Sequence, residues 1–178
     1  CSGGAGIPGH PRGALGIRLQ LNPRSKMSPT SDSDPPLRLL VLGGGAVVSD
    51  LHAPALDAMG WLQSALIVDP STRHLAKIAG AFPDARVREC DFETALGEIV
   101  PGSFDAALIA LPNSLHAEGT RRAILSGLHV LCEKPLALDA ATCRDLGAFA
   151  ERHGRWLSVA MVRRFSPSFV ALRHAIAQ

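Results

Sequence analysis

The stretch LRLLVLGGGAVV, Leu37–Val48, decides the fold. An aliphatic run enters three consecutive glycines, which reads as a buried strand followed by a tight turn. The next residues, VVSDLHAPALDAM, have helix-like apolar spacing, with Pro54 expected in the first turn or at a kink. Gly43-Gly44-Gly45-Ala46-Val47-Val48 can be laid on the dinucleotide pattern G-x-G-x-x-G/A. Gly43 would permit the tight turn. Gly45 would let the backbone approach a pyrophosphate seated at the helix N-terminus. Val48 is bulkier than the residue usual at the third position, so helix and strand are expected to pack slightly farther apart. Taken alone, the turn also suits S-adenosylmethionine enzymes, nucleotide sugars, or no ligand at all.

Working outward from this turn, five further aliphatic segments recur, each followed by a helical pattern. SALIVDP is a second strand stopped by Asp69-Pro70, and STRHLAKIAGAF is a helix with Ser71 as N-cap. ARVRECD and FETALGEIV give a short strand and a short helix. FDAALIALP is a fourth strand. NSLHAEGTRRAILSG is a helix expected to be capped by Asn113 or Ser114 and ended by Gly127. LHVLCE, then LDAATCRDLGAFAERHG, then RWLSVAM complete a fifth strand, a helix and a sixth strand, and Ser168–Gln178 look helical. This alternation predicts an α/β fold, a doubly wound parallel sheet covered on both faces. Its strands are expected to lack period-two alternation.

In such a sheet ligands bind at the carboxyl ends of the strands, so the residues placed there are the candidates. Asp69 follows Gly45 by 24 residues (69 − 45), near the roughly 20 expected of an acid that accepts the adenosine ribose hydroxyls. A carboxylate there repels a 2′-phosphate and favours NAD over NADP, whereas Arg73 close by would tolerate that phosphate. Leu111-Pro112-Asn113 closes the fourth strand, and Asn113 offers an amide where the nicotinamide end would lie. His116 faces the same region if the helix starts at Ser114; a lone helix histidine is more often structural. The fifth strand stops abruptly on Glu133-Lys134-Pro135. A lysine there can reach the nicotinamide ribose or a substrate hydroxyl. Pro135, without an N–H, cannot extend the ladder, and a cis Lys134–Pro135 bond would help aim the side chain.

Composition narrows the classes. The chain has 178 residues, 47% of them hydrophobic and 19% charged, with a net charge of +2. That argues for a globular domain and against nucleic-acid binding. No apolar run reaches the roughly 18 residues of a membrane helix. Cys1, Cys90, Cys132 and Cys143 form no CxxC pair, so no metal site or disulfide framework is expected, and a cytoplasmic setting fits. Cys132 and Cys143 read as small buried hydrophobes. Residues 1–36, rich in Gly, Pro, Ser and Arg, are expected to form a disordered extension, with Met27 as a plausible natural start.

The combination of VLGGGAVVSDLHAPAL, ALPNSLHAEGTRRAILSGLHVLCEKPLAL and VRRFSP resembles the N-terminal part of the glucose–fructose oxidoreductase / inositol dehydrogenase / MocA (Gfo/Idh/MocA) family, over roughly Leu37–Pro167. The E-K-P tripeptide following a P-N-x-x-H turn is the specific part. The resemblance implies a Rossmann domain at residues 37–165 that binds NAD or NADP, and the start of a second, substrate-binding α/β domain at 166–178. It implies cofactor contacts from the glycine turn, Asn113 and Lys134, a catalytic role for Lys134, and a position for Arg164-Phe165 near the domain junction. Leu111, Pro112, His116, Glu133 and Arg164 join the expected cofactor-binding set. It further implies hydride transfer to or from a carbinol carbon of a sugar, cyclitol or related polyol, with a homo-oligomer expected at full length. Family members carry an Asp and a His in the second domain that work with the lysine, and this sequence ends before that region. The rivals are a dinucleotide-sensing regulator without turnover and a methyltransferase; the latter gives Glu133-Lys134-Pro135 no role.

Overall fold

The computed structural model describes residues 37–176. The expectations for residues 1–36, including Cys1 and Met27, lie outside these. Six parallel strands form one sheet in the order β3-β2-β1-β4-β5-β6: β1 Leu39–Leu42, β2 Ala65–Asp69, β3 Arg86–Glu89, β4 Ala106–Ile109, β5 His129–Cys132 and β6 Leu157–Val159. The helices between them are α1 Ala53–Ala58, α2 Thr72–Ala81, α3 Phe92–Gly97, α4 His116–Leu125 and α5 Ala140–Arg152, with α6 Pro167–Ile176 after β6.

The inner strands are aliphatic because both faces of the sheet are covered. Leu40 and Leu42 of β1 point into a cluster with Ile109, Ile124, Val130 and Phe92, under α3, α4 and α5. Leu39 and Val41 point the opposite way, onto Ile67, Leu56, Leu75 and Ile78 under α1 and α2. A strand buried on both sides has no reason to alternate, and β1 is buried at every position. That expectation fails away from the middle. β3 and β6 are the edges; β3 is largely open to solvent and β6 only partly buried, and in β5, one strand in from the edge, Leu131 is exposed while Val130 and Cys132 are buried.

Local chemistry accounts for most boundaries. Ser71, Asp91 and Asp139 each accept the backbone N–H three residues on, capping α2, α3 and α5. Gly127 takes φ 83° just beyond α4. The expected cap by Asn113 or Ser114 is absent. Instead Asn113–Leu115 form a 3₁₀ turn in which Leu115 N–H donates to the Pro112 carbonyl at 2.8 Å, and α4 starts at His116. This tight turn meets the backbone's needs and leaves the Asn113 side chain exposed.

Of the cysteines, Cys132 is buried as expected, and burial pushes its thiol up to about 11. Cys143 is only partly buried, since its face of α5 borders solvent. No helix among the described residues is long and apolar enough to cross a membrane.

Candidate functional site: the crevice at the carboxyl ends of the strands

The register aligns the strand ends. Leu42 lies opposite Val68 and Ile109, and Ile109 lies opposite Cys132, so Gly43, Asp69, Ala110 and Glu133 emerge along one edge. Chain order reverses at β1 and β4, the switch point where a crevice opens in this architecture.

The glycine turn has two glycines with different duties. Gly43 has φ 102°, and a Cβ there would sit 2.3 Å from the Ala110 carbonyl oxygen, so only glycine fits between β1 and β4. Its N–H donates to the Val68 carbonyl at 2.8 Å. At Gly45 a Cβ would meet nothing within 4 Å. The space over it is open, as a docking pyrophosphate requires. The helix opens at Ala46, and among the described residues the amides of Gly45, Ala46 and Val47 donate to no acceptor. Open space and orphan donors together fit a dinucleotide phosphate. Val48 is fully buried, and the helix widens there into a π turn, Val48–His52, before continuing as α1 with Pro54 in its first turn. The bulkier residue therefore coincides with a locally wider helix.

At the β2 end of the crevice, Asp69 is 8% exposed. Its Oδ2 accepts the Gly44 N–H at 2.7 Å, and its Oδ1 accepts the Ser71 N–H at 2.7 Å and lies 3.2 Å from His74 Nδ1. Of the roughly four lone-pair positions on a carboxylate, three face protein donors. Arg73 is exposed on α2, beside the half-exposed His74.

At the other end, the Glu133 carboxylate is buried. Its Oε1 is 2.8 Å from His52 Nε2, and its Oε2 accepts the Lys134 backbone N–H at 3.1 Å. The Lys134–Pro135 peptide is cis. Lys134 is exposed, and among the described residues its ammonium has no acceptor. His116 stands elsewhere than expected. It is 1% exposed, with Nδ1 2.6 Å from the Pro135 carbonyl oxygen and Nε2 2.7 Å from that of Leu111. Both ring nitrogens are occupied, so the ring ties two turns together and offers neither nitrogen to a ligand. Leu111 is half-buried, Pro112 and Asn113 are exposed at the rim, and Arg164 is exposed beyond the carboxyl end of β6. His52 escaped the sequence reading. Within SDLHAPAL it looks like one more residue of a helix, and its partner is 81 positions away.

Comparison with known proteins places this geometry. The model of the Gfo/Idh/MocA family, described as an oxidoreductase family with an NAD-binding Rossmann fold, matches residues 37–161. A myo-inositol dehydrogenase of Streptomyces leeuwenhoekii is 34% identical over 137 residues, 77% of this chain and 40% of that protein. An NADP(+) scyllo-inositol 2-dehydrogenase of Bacillus subtilis is 29% identical over 143 residues, 80% of this chain and 38% of that protein. The crystal structure of a 3-ketoreductase from Actinomadura kijaniata in complex with NADP superposes with a TM-score of 0.67 at 27% identity, covering 80% of this chain and 44% of that one. The chain thus spans about 40% of the length of the curated relatives it matches.

Proposed function

This chain belongs to the Gfo/Idh/MocA oxidoreductase family and carries its NAD(P)-binding Rossmann domain, and on that premise we propose that it serves hydride transfer between a nicotinamide dinucleotide and a carbinol carbon of a sugar, cyclitol or related polyol. The glycine turn, with the amides of Gly45, Ala46 and Val47, would hold the pyrophosphate. Asp69 would take a ribose hydroxyl with its remaining lone pair and disfavour a 2′-phosphate, so NAD is the preferred form. Asn113, Leu111 and Pro112 would border the nicotinamide end, with Arg164 farther out at the rim. When bound, the nicotinamide supplies the hydride acceptor or donor. Lys134 would donate a hydrogen bond to the reacting hydroxyl, stabilise the charge that develops on its oxygen, and help move its proton.

The observation that carries this assignment is the state of Lys134. A surface lysine kept for stability pairs with a carboxylate. Here the neighbouring carboxylate, Glu133, turns inward to His52, and among the described residues the Lys134 ammonium remains without an acceptor at the mouth of the crevice. The sugar and inositol substrates named for the relatives support the substrate class. Steady-state kinetics of the full-length protein test the assignment. Lys134→Ala is expected to lower kcat by about 10²–10⁴-fold while NADH affinity changes far less, and Lys134→Arg to restore only part of the loss. Near-normal kcat in Lys134→Ala would reduce Lys134 to a surface residue.

A further inference from the structure

The E-K-P segment is held on both sides of its central residue by a different histidine. Before Lys134, the Glu133 side chain is 8% exposed and faces His52, itself 16% exposed and supplied by the π turn after the glycine loop. The second oxygen of the same carboxylate accepts the Lys134 amide. After Lys134, the Pro135 carbonyl meets His116, the first residue of α4, whose other nitrogen meets the Leu111 carbonyl. Glu133 is buried, Lys134 is exposed, and both flanking contacts come from parts of the chain far away in sequence.

We propose that His52 and His116 are positioning residues for Lys134: His52 through the Glu133 carboxylate and His116 through the Pro135 carbonyl clamp the backbone on either side, so that the ammonium is aimed by a fixed base. The proposal rests on the role given above to Lys134 as the group at the reacting end. The chemistry of each contact supports it. A carboxylate with one oxygen on an imidazole and the other on an amide has little freedom to turn, and removing either partner leaves a buried charge poorly satisfied. At His116 both partners are carbonyl oxygens, which only accept. They lie 2.6 and 2.7 Å from the two ring nitrogens, so the ring is wedged between the two turns. His116 thereby fixes the distance between the turn bearing Asn113 and the turn bearing Lys134. A histidine that served burial alone would need only one such partner.

The test uses the 178-residue chain labelled with ¹⁵N, and then the full-length protein. In His52→Ala and in His116→Gln, which keeps a side-chain donor, the Lys134 amide is expected to exchange about tenfold faster, while the Val41 amide in the sheet centre keeps its protection. Unchanged exchange at Lys134 overturns the clamp whether or not a dinucleotide binds. In the full-length protein, His52→Ala is expected to lower kcat about 3–30-fold with Lys134 present and by less than about 2-fold on top of Lys134→Ala, because residues that act as a unit are not additive. Equal losses in both backgrounds mean that His52 acts on the fold in general and contradict the proposal. Absence of NADH binding by a chain that passes the exchange test sinks the cofactor assignment alone.

Discussion

A buried carboxylate stands at each end of the crevice, and the two are built differently. Asp69 is satisfied mostly from its own segment, by the amide of Ser71 and the ring of His74 five positions on, with the Gly44 amide of the neighbouring strand end 25 positions away. Glu133 combines the adjacent Lys134 amide with His52, a side-chain partner across 81 positions. His74 is half-exposed and His52 is mostly buried. Asp69 therefore joins the ends of two adjacent strands, β1 and β2, whereas Glu133 joins the end of β5 to the helix that follows β1, two strands away. In the proposed function, cofactor preference falls to the first carboxylate and the placing of the reacting group to the second.

The most drastic way to break both ends is at their shared hinge. Gly43→Ala puts a methyl into the Ala110 carbonyl and forces a residue with a Cβ to φ 102°, so it is expected to cost at least about 4 kcal/mol or abolish folding. Gly45→Ala meets open space and should leave thermal unfolding within a few degrees of wild type while weakening NADH binding at least about tenfold. Calorimetry and a binding titration on the two variants check this; equal destabilisation by both would remove the distinction between a folding glycine and a docking glycine.

A smaller effect separates the two carboxylates. Glu133→Ala strands a buried histidine and the Lys134 amide and is expected to cost about 3 kcal/mol by urea unfolding. Asp69→Ser keeps an acceptor beside Gly44 and Ser71, so about 1 kcal/mol is expected. Its larger consequence is on specificity, a shift of about tenfold towards NADPH relative to NADH, read by parallel titrations. A stability loss at Asp69 as large as that at Glu133 would contradict the contrast between a carboxylate held mostly by its own segment and one held by a buried histidine 81 positions away.

The smallest effect lies at the opposite edge of the sheet and should leave both ends of the crevice alone. Arg38, just before β1, holds the Asp105 carboxylate, just before β4, through its guanidinium and its backbone N–H. The Arg38 hydrogen bond keeps Asp105 below the usual carboxylate range. A carboxylate with a folded pKa below its unfolded value of about 3.9 contributes fully above that value and loses its contribution as pH falls through the folded one. The Tm difference between wild type and Asp105→Asn should therefore be present at pH 7 and shrink below about pH 4, with NADH affinity at neutral pH unchanged.

Much of this was legible in the sequence because aliphatic runs and Gly/Pro punctuation are local signals. All six strands, the glycine turn, Asp69 and the E-K-P stop follow from residues a few positions apart. What escaped is what depends on distant partners. The His52–Glu133 pair leaves no trace in either segment alone, and the sequence left His116 between a structural and a ligand-facing role because its carbonyl partners are backbone atoms that no side-chain pattern reveals. The π turn at Val48–His52 and the 3₁₀ turn in place of a side-chain cap at Asn113 both arise where helix propensity yields to the geometry of a crowded strand end. The edge strands β3 and β6 depart from the all-buried expectation because only position in the sheet determines which strands are covered twice.

The central claim, that the crevice between Gly43, Asp69 and Lys134 holds a nicotinamide dinucleotide, is tested most directly by titrating the 178-residue chain with NADH and following fluorescence of the two tryptophans. The account predicts saturable binding at one site, weaker for NADPH, and weakened at least about tenfold by Gly45→Ala in a protein that still unfolds cooperatively near the wild-type temperature. A folded wild-type chain that binds neither dinucleotide, or that binds NADH equally well with Gly45→Ala, would contradict it.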